Sequence, residues 1–205
     1  MQTALVTTAI VLCATAFVGA IVWLVRWDAE RQAAIESTWR AHAARRQLTW
    51  VGSSGPWYRR IGYHMSGDIG GVRATFDQFA VRRGKSSVHY TRVSSELERP
   101  VPERLIVCRK TFANRVNFAF QGPLLELDEM RSTDKLLVRC RSESFARSVV
   151  DERLRSALYA LPTRTYVECN DRSAKVCWLG TERNPAVLDQ AAALLLGVAR
   201  AAAKA

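Results

Sequence analysis

Hydrophobic and polar positions divide the chain into three patterns. From Thr3 to Val25 every residue is uncharged and most are apolar, with Arg26 the first charge. As a helix that run is about 33 Å long at 1.5 Å per residue, enough to cross a hydrocarbon core. A lone span must satisfy its backbone polar groups internally, which selects a helix. Trp23 and Trp27 mark its C-terminal end, where amphipathic rings prefer headgroups, and Met1-Gln2-Thr3 lacks the basic start of a secretory signal. From Asp28 to Gln47 the period remains helical, with Ile35, Trp39 and Ala43 at i, i+4 spacing. Trp39 and Leu48 favour docking of this helix onto the soluble domain.

Alternation with period two then takes over, after a break at Gly52-Ser53-Ser54-Gly55-Pro56. Strands are predicted at 57–65, 72–82, 87–93 and 104–109, with turns at 66–71 and 83–86. The stretch 111–133 reads as an irregular acidic loop around one strand at 116–120. Beyond it the pattern predicts a strand at 135–141, then a helix capped by Ser142 or Ser144 and stopped by Pro162. Short strands at 165–170 and 174–179 follow. Asn184-Pro185 then opens a last helix with Leu188, Ala192, Leu195, Leu196 and Ala199 on its buried side. Asp189 interrupts that helix and its apolar length is short, so it is predicted to pack rather than span.

These elements predict an α+β protein: an N-terminal transmembrane helix, then a mostly antiparallel sheet packed by C-terminal helices. The expected divisions are an anchor at 1–27, a juxtamembrane helix at 28–50 and one domain at 51–205. About 180 residues after the anchor suffice for one well-buried domain.

Charge sharpens this picture. The net charge is +11, and of the 30 basic residues 25 are arginine. Residues 26–110 carry net +8 and residues 111–205 net +3. The candidate contacts with an anionic surface are Arg26, Arg31, Arg40, Arg45 and Arg46 after the span, and Arg59, Arg60, Arg82, Arg83 and Lys85 in the hairpins. No Lys or Arg precedes the span, so the positive-inside bias predicts the N-terminus outside and the domain in the cytoplasm, as a single-pass inner-membrane protein. Cys108, Cys140, Cys169 and Cys177 sit in strand-like runs without metal or redox spacing, which predicts free structural thiols in a reducing compartment.

The Gly62…Gly70-Gly71-Val72 hairpin after a Trp-containing helix, the run Leu136-Leu137-Val138-Arg139 and the helix Ala146…Arg153…Leu158 resemble uncharacterised bacterial single-pass membrane proteins with a cytosolic α+β domain. The resemblance implies anchor-plus-α+β architecture. It matches no catalytic motif and implies no functional residue.

Candidate chemistry is sparse. Gly84-Lys85-Ser86 lacks the glycine a phosphate loop needs at position 79, where Phe79 stands. His64 and Asp68 flank the first turn, with His42 and His89 elsewhere, and an acid–base role would need them to converge. Glu126, Asp128, Glu129 and Asp134 lack the ordered spacing of a calcium loop. No cofactor, metal or catalytic residue is expected. The predicted role is a membrane-tethered, non-catalytic interaction or scaffold module whose partners are the lipid bilayer and a protein. The alternative is a binder of nucleic acid or anionic headgroups, with Arg73 and Arg92 adding phosphate contacts and Trp57, Tyr58 and Tyr90 as stacking platforms. An enzyme using His64 and Asp68 ranks third.

Overall fold

The computed structural model describes residues 2–54, 61–83, 86–111, 114, 123–125 and 136–204, with the side chains of the first helix described from Leu12, Ala14 excepted. The predicted strand at 116–120, the acidic loop, Trp57, Tyr58, Arg59, Arg60 and Lys85 lie outside those residues. The chain forms two compact units, Met1–Thr38 and Trp39–Ala205. Helix α1 runs from Gln2 to Arg45 with no break at the expected boundary near residue 27. No Pro or Gly falls between Val22 and Arg45 to end it.

The second unit is built on one nine-stranded sheet: β1 (Thr49–Ser54), β2 (Ile61–Ile69), β3 (Val72–Arg83), β4 (Ser86–Glu96), β5 (Leu105–Arg109), β6 (Leu124–Leu125), β7 (Leu136–Arg139), β8 (Tyr166–Asn170) and β9 (Ser173–Leu179). The spatial order is β1-β2-β3-β4-β9-β8-β5-β7-β6, and every neighbouring pair is antiparallel. Period-two alternation puts a single row of side chains, Met65, Phe76, Val93, Val176, Val167, Val107 and Val138, across seven strands on one face. None of them is more than 1 % exposed. At roughly 1.5–3 kcal/mol for each fully buried side chain, that row is a major part of the core.

Helices complete the unit: α2 (Glu143–Val149), α3 (Glu152–Ala160) and α4 (Pro185–Lys204). A single helix was expected from Ser142 to Leu161; the chain breaks at Val150-Asp151. The Asp151 carboxylate accepts the Leu154 amide at 2.7 Å and starts a second helix, as Ser142 does for Phe145 in the first. Arg109 on β5 donates to the carbonyls of Leu158, Tyr159 and Leu161, a cation closing the negative end of α3. α4 packs on β4 and β9 and against α2 and α3. Among the described residues it is the one helix with the length and apolarity of a membrane span. Its buried Leu188, Ala191, Leu194, Leu195 and Val198 make it the core helix of the domain, as the sequence predicted.

Two details of the hairpins differ from expectation. The turn predicted at 66–71 shortens to Gly70-Gly71, because Ser66, Gly67 and Asp68 continue β2 by pairing with Thr75, Ala74 and Arg73. Gly70 and Gly71 have φ of 60° and 84°, the pair of positive angles that a two-residue hairpin favours. The break predicted at Gly52 is instead inside β1, where the register with β2 slips on both sides of Gly52. Gly62 has a stricter role: a Cβ there would lie 2.4 Å from the Gln78 Cβ.

Candidate functional site

The last turns of α1 lock into the domain through side chains that the sequence pattern singled out for docking. Trp39 is fully buried and its indole donates to the Glu182 carbonyl at 2.9 Å. Glu182 organises the loop before α4: its carboxylate accepts from the Trp178 indole and from the amides of Arg183 and Asn184. Asn184 caps α4 by accepting the Ala186 amide. One turn beyond Trp39, the His42 ring lies edge-on to Phe76 and is 2 % exposed.

Arg45 and Arg46, two of the ten candidate surface arginines and lysines, converge on Asp189 of α4 at 2.7 Å each. Arg45 also donates to His42 Nδ1 at 3.1 Å, which leaves the ring proton on Nε2, 3.9 Å from the Asp189 carboxylate. Burial lowers the His42 pKa, and the two arginines add to that against the opposing Asp189 charge. The acid that seemed only to interrupt an apolar helix is the clasp for α1. That Asp in an otherwise apolar stripe was the one local signal of the contact.

The other candidates are distributed over separate surfaces. Arg26, Arg31 and Arg40 are exposed on α1, with the Arg31 guanidinium 5.5 Å from the Trp27 ring centroid. Arg82 is exposed on β3 and Arg83 ends that strand. Arg92 makes a two-point ion pair with Asp77 and lies 4.9 Å from the Phe79 ring centroid, so its charge is already matched. His64 and Asp68 share a strand face but stand four residues apart, about 13 Å at 3.3 Å per residue. Asp68 accepts the Gly71 amide in the turn, whereas His64 is paired in register with Asp77. The expected His64–Asp68 dyad is not assembled. Among the described residues no group of His, Cys, Asp and Glu is arranged to hold a metal.

The second face of the sheet carries the row His64, Asp77, Arg92, Cys177, Tyr166, Cys108 and Leu137. Toward β5 and β7 it is apolar and buried, with Ile106, Cys108 and Leu137 packed together beside Tyr166. Toward β2, β3 and β4 it is polar and half-open, with Ser66, Thr75, Ser94 and the Asp77–Arg92 pair. Glu168 bridges the two regions, bound by Arg104 and Lys175 at 2.8 and 2.9 Å. The four domain cysteines are free and buried. Burial pushes Cys108 and Cys169 up to about 12 and Cys177 to about 11, with Cys140 also raised, so none is poised as a nucleophile.

No protein-family model matches the chain, and no curated protein matches it in sequence. Among solved structures, the crystal structure of the mycobacterial trehalose monomycolate transport factor A, TtfA, matches with a TM-score of 0.53. The match covers 82 % of this chain and 93 % of that one at 12 % identity. At that identity the likeness is one of fold alone.

Proposed function

We propose that this chain is a single-pass membrane protein whose cytoplasmic α+β domain serves as a non-catalytic accessory to a lipid-export assembly. The observation that carries the anchoring is the surface of α1. Leu12, Phe17, Val18, Ile21, Val22, Trp23, Leu24, Val25 and Trp27 are all 45–68 % exposed. Val22 to Val25 are consecutive, so at 100° per residue their side chains cover the whole circumference of the helix. An apolar cylinder of this kind is unfavourable in water and suits lipid. Arg45 and Arg46 still count toward orientation although they bind Asp189, because the positive-inside bias acts as the chain is inserted, before that clasp can form.

The accessory role comes from the fold shared with a protein named as a transport factor, together with a domain whose polar sheet face has no assembled catalytic dyad. The half-open β2–β4 face, with Thr75 and Ser94 at its centre, is the proposed protein contact. Photocrosslinking amino acids at Thr75 and Ser94 in living cells, with an epitope tag after Ala205, test both parts. The expected result is an adduct to an envelope lipid-export protein from both positions and a tag protected from protease in intact spheroplasts. Digestion of the tag before lysis overturns the orientation; absence of any adduct overturns the adaptor role.

A further inference from the structure

Three planar side chains line up along one side of α1 where its apolar run ends. Trp23, Trp27 and Arg31 stand at i, i+4 and i+8, the spacing that sets side chains one above another on a helix. The two indoles lie nearly parallel, 17° apart with 6.5 Å between centroids, and the Arg31 guanidinium sits 5.5 Å from the Trp27 centroid. The ladder belongs wholly to the first compact unit, Arg31 is exposed, and Trp23 and Trp27 are 64 % and 50 % exposed. Among the described residues neither indole N–H donates a hydrogen bond, and Arg31 has no carboxylate partner.

The direction in which Arg31 lies sets the depth of its charge. Its Cα is one turn, about 6 Å, farther from the apolar run than that of Trp27. Helical side chains lean toward the N-terminus, here the lipid end, so the guanidinium is carried back to the level of the Trp27 ring. Trp27 stands two residues, about 3 Å, beyond Val25, inside a headgroup layer roughly 5–8 Å deep. A cation–π contact leaves the guanidinium N–H donors unused, and their fork matches two phosphate oxygens in plane and in charge. Diffuse attraction does not supply this contact. Residues 26–31 hold Arg26 and Arg31 against Asp28 and Glu30, so the turn is neutral as a whole. What it offers an anion is one directed cation.

We propose that Trp23, Trp27 and Arg31 form a binding stripe for one anionic phospholipid. Its phosphate sits on the Arg31 guanidinium and its glycerol ester region lies along the two indoles, whose N–H groups donate to the ester carbonyls. The inference rests on the reading of α1 as an anchor, because only an inserted helix brings the ladder to headgroup depth.

The test uses the full chain in neutral detergent, with native mass spectrometry counting bound phosphatidylglycerol or phosphatidylcholine as each is titrated. One phosphatidylglycerol is expected to bind ahead of any phosphatidylcholine. Arg31→Gln should weaken it about tenfold, the loss of a charge-assisted hydrogen-bonded pair. Trp27→Leu keeps the helix apolar there and should weaken it about threefold through the lost cation–π contact. Arg31→Lys keeps the charge without the fork, should also cost about threefold, and keeps the test open if Arg31→Gln misfolds. Arg26→Gln removes the same charge about 140° round the helix and should leave binding unchanged. Equal losses in Arg26→Gln and Arg31→Gln, or equal affinity for the two lipids, overturn the site. So does displacement of the lipid by soluble glycerol phosphate, which would make Arg31 a site for free phosphate. Retention of the chain on phosphatidylcholine nanodiscs after a urea wash reports the anchor separately. A chain that is retained but binds no lipid with Arg31 dependence overturns the site and leaves the anchor standing. A chain that is washed off overturns the anchor, and the site with it.

Discussion

The row through Met65, Phe76, Val93, Val176, Val167, Val107 and Val138 and the row one residue along, through His64, Asp77, Arg92, Cys177, Tyr166, Cys108 and Leu137, cross the same seven strands and face opposite sides. The first is uniform: every member is apolar and sealed from water. The second changes character along its length, from a half-exposed histidine and an ion pair to a buried thiol and leucine. A continuous core holds the sheet from one side, so the other is free to be polar where it meets water. The same backbone therefore carries a sealed face and a face that is polar where it meets water, separated only by the two-residue pleat.

Neighbouring substitutions in β3 give the sharpest test of that division. Phe76→Ala should cost about 3–5 kcal/mol in urea denaturation, as large-to-small changes in sealed cores do. Asp77→Asn, one residue along, should cost no more than about 1 kcal/mol, because its pair with Arg92 is partly solvated. Similar costs at both positions would break the comparison.

The thiols probe the buried end of the second row. Cys108 and Cys169, pushed from 9.0 to about 12, hold roughly a thousandfold less thiolate than an ordinary cysteine at the same pH. Iodoacetamide at pH 8 should leave them unmodified in the native protein and label them within minutes in urea, as mass spectrometry would record. Recovering a disulfide among the four from freshly lysed, alkylated cells would contradict their native state as reduced thiols.

His42 probes the first face where α1 meets it. Its pKa in the folded protein is below 6.5, so the unfolded chain binds more protons as pH falls. The stability His42 contributes is therefore complete above 6.5 and drains away as pH drops through 6.5 toward the lowered value. Thermal melts at pH 7.5, 6.5 and 5.5 should show a fall in Tm that is smaller in His42→Gln. An equal fall in both proteins would mean that the ring is not held neutral. The smallest effect belongs to the open end of the second face, where Thr75→Ala should change stability by no more than about 0.5 kcal/mol in the same denaturation assay.

Much of this architecture was legible along the chain. The change from a 3.6-residue to a two-residue period located α1 and β3 to β5, the Asn184-Pro185 pair opened α4, and Trp39 with Ala43 marked the docking stripe. Each is a local signal, because periodicity and capping act over a few residues. Strand β1 was hidden by Gly52, which reads as a loop but serves a bulge, and the split at Asp151 was hidden by an apolar stripe that continues through it. The ten cationic candidates could not be sorted from sequence, since exposure and charge matching depend on what folds beside them.

Residue order by itself determined that the chain begins with a long helix, continues as an antiparallel α+β domain, gives its cysteines no metal or redox spacing and carries its excess charge in the first half. Tertiary structure alone decided that Arg45 and Arg46 are consumed by Asp189, that Glu182 binds both Trp39 and Trp178, and that His64 faces Asp77 rather than Asp68. These pairings join residues up to 144 positions apart. Periodicity constrains which face a side chain takes, whereas the partner across a sheet or between helices is set by register and packing, which no local pattern encodes.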